Sequence, residues 1–201
     1  MSSTPTTRLP RTERRAQLLD AAREVFVAQG YHAALMDDIA ERAGVSKPVL
    51  YQHFPGKLEL YLALLDQGAE QLINVVRDAL RSTDDNKQRV AATMQAYYDF
   101  VAAQDGAFRL VFESDLTSEP AVRERVDRST QQCAELVSEL ISHDAGLSTE
   151  EAHLLAVALT GMAQLSARYW ISTNRAVPQD AAVRLLGALS WRGIGGFPRT
   201  Q

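Results

Sequence analysis

One short segment of the chain, GVSKPVLYQHFPGK at residues 44–57, mixes basic, polar and aromatic side chains more densely than a buried helix would. Tyr51, His53 and Lys57 can each donate a hydrogen bond to a phosphate oxygen, and such bonds position a protein on nucleic acid. The other aromatic residue, Phe54, is expected to pack in the core. The segment therefore predicts contact with a phosphate backbone.

The same segment offers side chains that can distinguish one base from another. Lys47 can donate to guanine O6 or N7, and Gln52 can bind adenine through N6 and N7. Pro48 and Val49 can contact a thymine methyl group. We therefore predict a DNA-reading surface of seven residues: Lys47, Pro48, Val49, Tyr51, Gln52, His53 and Lys57.

The elements that must hold this surface are a helix-turn-helix and the helix that precedes it. Apolar residues recur at helical spacing over residues 12–29, and Gly30 ends that helix. A short helix over residues 37–43 follows, and Gly44 can adopt the positive φ of the turn. Ser46 can cap a third helix, which carries the reading surface.

The distribution of charge supports a nucleic-acid partner for this end of the chain. The whole chain of 201 residues has a formal charge of −4. Residues 1–57 contain eight Lys or Arg and six Asp or Glu, a balance of +2, whereas the remainder has a balance of −6. The basic end is therefore the candidate for phosphate, and the acidic remainder needs different partners.

The rest of the chain shows helical periodicity and no strand pattern. Six further helices are predicted, over residues 57–81, 86–103, 106–114, 120–143, 150–172 and 179–191. Ser148 and Glu151 form a capping box at the start of the fifth of these. The sequence predicts an all-α protein of about nine helices, divided into three parts: a flexible arm at 1–10, a helix-turn-helix DNA-binding domain at 11–57, and an effector-binding and dimerisation domain at 58–201.

The last two predicted helices, over residues 150–172 and 179–191, are apolar on more than one face. A monomer of this size can cover one such face, and Gly161 and Gly187 would allow a partner helix to approach closely. We therefore predict a homodimer through residues 148–191. The alternative is that both helices belong to the core of one subunit.

Aromatic residues are concentrated just after the middle of the chain, in AYYDFVAAQDGAFRLVFES. They are either ordinary core or, as the family resemblance given below implies, the wall of an apolar cavity for a small hydrophobic effector. The second interpretation predicts six ligand-binding residues: Tyr97, Tyr98, Phe100, Val101, Phe108 and Phe112.

Other classes of function find little support in the sequence. None of the common nucleotide-binding, hydrolase or metalloprotease motifs occurs, so we expect neither an enzyme nor a cofactor or metal site. The one cysteine, Cys133, is expected to be buried and inert. No signal peptide or membrane-spanning stretch is found, which favours a cytoplasmic protein.

The run DDIAERAGVSKPVLYQHFPGKLELYLALL at residues 37–65 closely resembles the DNA-binding domain of TetR-type transcriptional regulators. The resemblance implies that the third helix enters the major groove of palindromic double-stranded DNA. It also implies dimerisation through the last two long helices and a hydrophobic effector cavity among the helices between residues 57 and 172.

Within that family, residues 31–67 and the later segment RLVFESDLTSEPAV are most similar to the actinobacterial regulators of fatty-acid synthesis genes. This similarity implies control by long-chain acyl-CoA. The alternative is a local repressor of an efflux or catabolic operon that is released by a hydrophobic small molecule.

Overall fold

The computed structural model describes residues 9–103, 106, 116 and 118–193. Its eight helices are α1 (Arg11–Ala33), α2 (Met36–Arg42), α3 (Lys47–His53), α4 (Lys57–Arg81), α5 (Asn86–Ala102), α6 (Pro120–Ala145), α7 (Thr149–Ser172) and α8 (Gln179–Arg192). The described residues contain no strand, which confirms the all-α class. The further helix predicted over 106–114 lies, apart from Gly106, outside the described residues.

Backbone geometry fixes the turns around α1, α2 and α3. The helical path of α1 is interrupted at Gly30, whose φ of 76° and ψ of 165° lie outside the helical region, as the sequence predicts. Gly44 has a φ of 64° in the turn between α2 and α3. Ser46 occupies the N-cap position of α3, but its side chain makes no capping hydrogen bond, so the expected cap is wrong. Pro48, in the first turn, instead presets the helical φ.

The first three helices and the start of α4 enclose a small core. Leu18, Ile39, Leu50 and Phe54 are each at most 2% exposed, because they occupy the inward faces of α1, α2 and α3. Phe54 is therefore a core residue, as predicted. The guanidinium carbon of Arg15 lies 4.3 Å from the centroid of the Phe54 ring. This core holds the outward face of α3 in a fixed position relative to α1.

The remaining helices pack against one another around α4, α5, α6 and α7, with α8 against α5. The capping box predicted at the start of α7 is present, because Ser148 and Glu151 each accept a hydrogen bond from the other's backbone N–H. Cys133 is buried, as expected, and burial raises the pKa of its thiol to about 12. No helix in the described part of the chain is both long and apolar enough to cross a membrane.

Candidate DNA interface and effector cavity

The predicted DNA-reading surface is the outward face of α3 together with the first residue of α4. Leu50 and Phe54 are directed into the core, so the side chains between them are turned outwards, and Tyr51 is 46% exposed. Four of the seven predicted residues are exposed: Lys47, Pro48, Tyr51 and Gln52. The other three are half-buried: Val49, His53 and Lys57. All seven are therefore at least partly accessible on α3 and at the start of α4.

The lysine at the start of α3 is paired within the chain. Lys47 Nζ lies 2.6 Å from Asp37 Oδ2, and both side chains are largely exposed. An exposed ion pair of this kind contributes little to stability. Asp37 is therefore placed to compete with a guanine for the Lys47 ammonium, which would have to leave the carboxylate to reach a base.

The lysine at the start of α4, Lys57, makes more contacts within the chain than Lys47 does. Lys57 Nζ donates to three carbonyl oxygens, those of Tyr31 at 2.8 Å, Ala34 at 2.9 Å and His32 at 3.3 Å. The same ammonium lies 4.5 Å from the centroid of the Tyr31 ring. An ammonium has three N–H donors, so these contacts use all of them. In this arrangement Lys57 joins the start of α4 to the end of α1.

Three arginines that were not among the predicted site residues lie beside the reading surface. Arg11, Arg14 and Arg15 occupy the first turns of α1. Burial, together with the positive charges of these arginines, lowers the pKa of His53. This lowered pKa favours the neutral form of the imidazole, and the arginines add positive potential beside α3. The spacing of these residues, i, i+3 and i+4 in RTERRA, is the sequence signal that indicates one basic helix face.

The aromatic residues predicted to bind an effector are placed mainly in the core. Tyr98 donates to Ser166 Oγ at 3.2 Å, and its ring lies 5.2 Å from that of Trp170. Phe100 and Val101 are buried. Phe108 and Phe112 lie outside the described residues. Of the four that are described, Tyr97 is the one that lines a large apolar cavity.

That cavity has a volume of about 380 Å³ and lies between α5, α6, α7 and α8, with the end of α4 at one side. This volume is within the roughly 300–1,000 Å³ typical of small-molecule sites. Its wall is predominantly aliphatic and includes Leu80, Val90, Met94, Val137, Leu140 and Ile141. The sequence does not reveal the cavity, because its residues come from five helices and meet only when these pack.

Polar groups are found at one end of the cavity, where Arg89 makes four hydrogen bonds within the chain. Arg89 donates to the carbonyl oxygen of Thr83 at 2.6 Å, to Asn86 Oδ1 at 2.7 Å and to Asp144 Oδ2 at 2.8 Å. In the wall itself, the buried hydroxyl oxygen of Thr93 has no hydrogen-bond partner among the described residues. The cavity therefore offers a long apolar surface with few polar groups that are free to bind a ligand.

A different kind of surface lies on α7 and α8. Leu154, Leu165 and Tyr169 are 72%, 65% and 70% exposed, and Leu185 is 50% exposed. The first three recur along α7 at spacings of eleven and four residues, so they share one helix face. A Cβ added at Gly161, on the same helix, would meet no atom within 4 Å. This face is apolar and open.

Comparison with known proteins agrees with this arrangement. The family model for bacterial regulatory proteins of the tetR family matches residues 18–64, which include α2, α3 and the start of α4. The helix-turn-helix transcriptional activator FasR of Mycolicibacterium smegmatis is 50% identical over 194 residues, which cover 96% of this chain and 89% of that protein. The chain belongs to the TetR family. It is a DNA-binding transcriptional regulator, as the helix-turn-helix predicts.

Two solved structures of transcriptional regulators share this fold. A TetR-like transcriptional regulator from Rhodococcus sp. RHA1 has a TM-score of 0.74 at 28% identity, and the match covers 94% of this chain and all of that one. The regulator FadR of Bacillus subtilis, solved in complex with stearoyl-CoA, has a TM-score of 0.68 at 19% identity, over 89% of this chain and 98% of that one. The fold described by α1 to α8 is therefore the TetR fold.

Proposed function

We propose that this TetR-family regulator controls fatty-acid or lipid synthesis genes in response to a long-chain acyl-CoA. The observation that carries the effector class is the aliphatic cavity of about 380 Å³ between α5, α6, α7 and α8. Such a wall favours an alkyl chain over a sugar or an ion. A protein of the same fold holds stearoyl-CoA, so the fold is compatible with this class of ligand. The proposed site of action is the cytoplasm, where DNA and acyl-CoA meet.

For the DNA-binding half, we propose residues 11–57 as the reading domain and residues 58–201 as the effector and dimerisation domain. The exposed residues of α3, Lys47, Pro48, Tyr51 and Gln52, would enter a major groove together with Val49 and His53. Arg11, Arg14 and Arg15 would contact phosphates beside them. Lys57 would act through its bonds to the end of α1, which fix the angle between α1 and α4.

For assembly, we propose a homodimer through residues 148–191, because the exposed apolar face of α7 and α8 needs a cover. Three large side chains on α7, Leu154, Leu165 and Tyr169, would together bury several hundred Å² with those of a partner subunit, and the rest of α7 and α8 would supply the remainder of the roughly 1,200–2,000 Å² of a stable interface. A two-fold axis would present two α3 helices to DNA, so the operator is expected to be palindromic.

A single helix connects the proposed ligand site to the proposed DNA site. α4 begins at Lys57, beside the reading surface, and reaches Leu80, in the wall of the cavity. A rigid helix of 25 residues spans roughly 37 Å, so a small tilt at one end displaces the other. The effector must bind more tightly to the conformation in which the two α3 helices are wrongly spaced, because only differential affinity shifts a population.

The proposal is tested by titrating acyl-CoAs of increasing chain length against a complex of the protein with its selected operator. Each buried methylene contributes roughly 0.8 kcal/mol, so the concentration that releases DNA should fall with chain length until the cavity is full. Free CoA and a panel of hydrophobic drugs are the comparison ligands. Release by drugs and by no acyl-CoA would refute the proposal and favour the repressor of an efflux or catabolic operon.

A further inference from the structure

The start of α3 carries an ion pair that the proposed contacts with DNA do not explain. Lys47 is the first residue of α3, and its Nζ lies 2.6 Å from Oδ2 of Asp37, in the first turn of α2. The two side chains are 60% and 56% exposed, so the pair lies at the surface of the molecule. We call it the α2–α3 ion pair. Its two charges cancel, so it adds no net charge to this end of the reading surface.

The start of α2 has no side chain that favours phosphate. Residues 35–38 are LMDD, two apolar residues followed by two acidic ones. Leu35, at the N-cap position, is 57% exposed and makes no side-chain capping bond. In helix-turn-helix proteins the first helix crosses the DNA backbone, while the N-terminal residues of the second contact base edges. In that docking geometry, Asp37 holds a carboxylate beside Lys47 where the phosphate backbone passes.

The two ends of α3 have opposite charge balances. At the end of α3, the guanidinium carbon of Arg15 lies 4.3 Å from the centroid of the ring of Phe54, the C-cap residue. Residues 11–15 contain three basic side chains and one acidic one, a balance of +2. Residues 36–47, which include α2 and the start of α3, contain two basic and three acidic side chains, a balance of −1. Attraction for phosphate is therefore concentrated at the end of α3 and is absent at its start.

We propose that Asp37 is a specificity-determining residue, which keeps Lys47 from phosphates and leaves it available to a guanine. A phosphate brought to Lys47 would also approach the Asp37 carboxylate, and the two anions would repel each other. A guanine edge is neutral, so its O6 and N7 can accept from Lys47 with much less repulsion. The inference rests on the proposed place of Lys47 in the reading surface, and it adds Asp37 as the residue that makes this lysine selective.

Two contributions to the binding free energy decide whether this arrangement improves discrimination. On the selected operator, Lys47 must leave an exposed ion pair, and the cost is small because such pairs contribute little. On other sequences, a lysine without an acidic partner would contact a phosphate and release a counterion, which strengthens binding irrespective of sequence. Asp37 prevents that gain. It therefore weakens binding to other sequences more than it weakens binding to the operator.

The test compares wild type and Asp37→Asn on a selected operator and on a scrambled duplex of the same length, over a series of salt concentrations. The variant should bind the scrambled duplex roughly threefold or more tightly at low salt, and its slope of log affinity against log salt should steepen by about one. The affinity for the operator should rise less, so the ratio of the two affinities should fall. The melting temperature should change little, because the ion pair is exposed.

Two further variants show whether the effect depends on Lys47. Asp38→Asn makes the same charge change at the next residue of α2, so it should raise both affinities by one factor and leave their ratio unchanged. Adding Lys47→Gln to Asp37→Asn should abolish the gain on the scrambled duplex, because no ammonium is left to contact a phosphate. The single and double variants together form a cycle that measures the coupling between the two residues.

Three results would overturn the inference. The first is an Asp37→Asn protein whose two affinities rise by the same factor, which would be a long-range effect of charge alone. The second is a gain on the scrambled duplex that persists without Lys47. The third is an equal fall in the ratio for Asp38→Asn. A Lys47→Gln protein with the wild-type ratio would instead refute the proposed place of Lys47 in the reading surface, so the two failures are distinguishable.

Discussion

The two ends of this molecule expose opposite kinds of side chain. Around α3 most of the exposed side chains, such as those of Lys47 and Gln52, are polar or basic, and the aliphatic Leu50 and the aromatic Phe54 are buried. On α7 the pattern is reversed, because Leu154, Leu165 and Tyr169 are exposed. Since both regions are regular helices, the difference reflects what each must contact. It indicates a phosphate-bearing partner at one end and an apolar one at the other.

The two surfaces should also respond differently to solution conditions. Contacts with phosphate release counterions, so DNA binding should weaken steeply as salt increases. Burial of an apolar face involves little charge, so dimerisation should depend on salt much less. The following substitutions test the comparison, beginning with the largest expected effect.

The largest effect is expected from a charge placed in the middle of the α7 face. Gly161→Glu and Leu165→Glu should each produce a monomer, because a partner subunit would have to bury an unpaired carboxylate. Monomers present only one α3 helix, so binding to a palindromic operator should be lost at concentrations that saturate the wild type. Sedimentation analysis and a DNA-retardation assay on the same samples measure both effects.

Gly161→Glu is the more specific test of the two substitutions, because the isolated chain has room for a side chain at this position. Replacing a helical glycine should, by itself, slightly stabilise α7. Glu139→Lys, an exposed charge change on α6, is the control for a general effect of surface charge. A Gly161→Glu protein that remained a dimer would refute the assignment of this face to the interface.

At the other end of the molecule, Gln52→Ala should alter base preference rather than assembly. If Gln52 binds adenine, its loss should cost about 1–3 kcal/mol at one position of each half-site and little elsewhere. The measurement is a selection of operator variants by wild-type and mutant protein, at one salt concentration. An unchanged preference profile would exclude Gln52 from base recognition.

A smaller effect is expected at Lys57, and it distinguishes two roles for this residue: a structural link to the end of α1 and a contact with phosphate. In Lys57→Ala, the loss of three hydrogen bonds to the end of α1 should lower the free energy of unfolding by about 1–2 kcal/mol. It should also lower the affinity for all DNA sequences by the same factor. A phosphate contact would reduce the slope of log affinity against log salt by about one. We expect a lower melting temperature with an unchanged slope. A reduced slope with an unchanged melting temperature would show that Lys57 contacts phosphate.

The contrast between the two ends also explains how much the sequence could predict. The helix-turn-helix was predictable because its signals are local: helical spacing over residues 12–29, the positive φ at Gly44, and polar residues close together on one short helix. The capping box at Ser148 was predictable for the same reason. Ser46 was not, because a suitable residue type at an N-cap does not ensure that its hydroxyl is oriented to accept.

The aliphatic cavity was less predictable because no local signal marks it. Tyr98 and Phe100 were predicted to bind a ligand because they are large and apolar, but residues of this type also fill a protein core. The cavity wall consists of ordinary aliphatic residues such as Leu80, Met94 and Leu140, brought together by packing.

The smallest effect is expected inside the cavity, at Thr93. Its buried hydroxyl oxygen has no hydrogen-bond partner among the described residues, and an unsatisfied buried polar group is costly. Thr93→Val has nearly the same shape and removes that group, so it should stabilise the ligand-free protein by about 1 kcal/mol or leave it unchanged. It should also strengthen acyl-CoA binding slightly, because the wall becomes more apolar, without altering DNA affinity in the absence of ligand.

Thr130→Val is the matched control for this substitution, because the Thr130 hydroxyl lies on α6 and donates to the carbonyl oxygen of Val126 at 3.1 Å. Its loss should therefore destabilise the protein, and the two valine variants should move the melting temperature in opposite directions. If Thr93→Val weakened acyl-CoA binding, the hydroxyl would have to contact the ligand. That result would change the cavity from a purely apolar site to one that also recognises a polar group on the acyl chain.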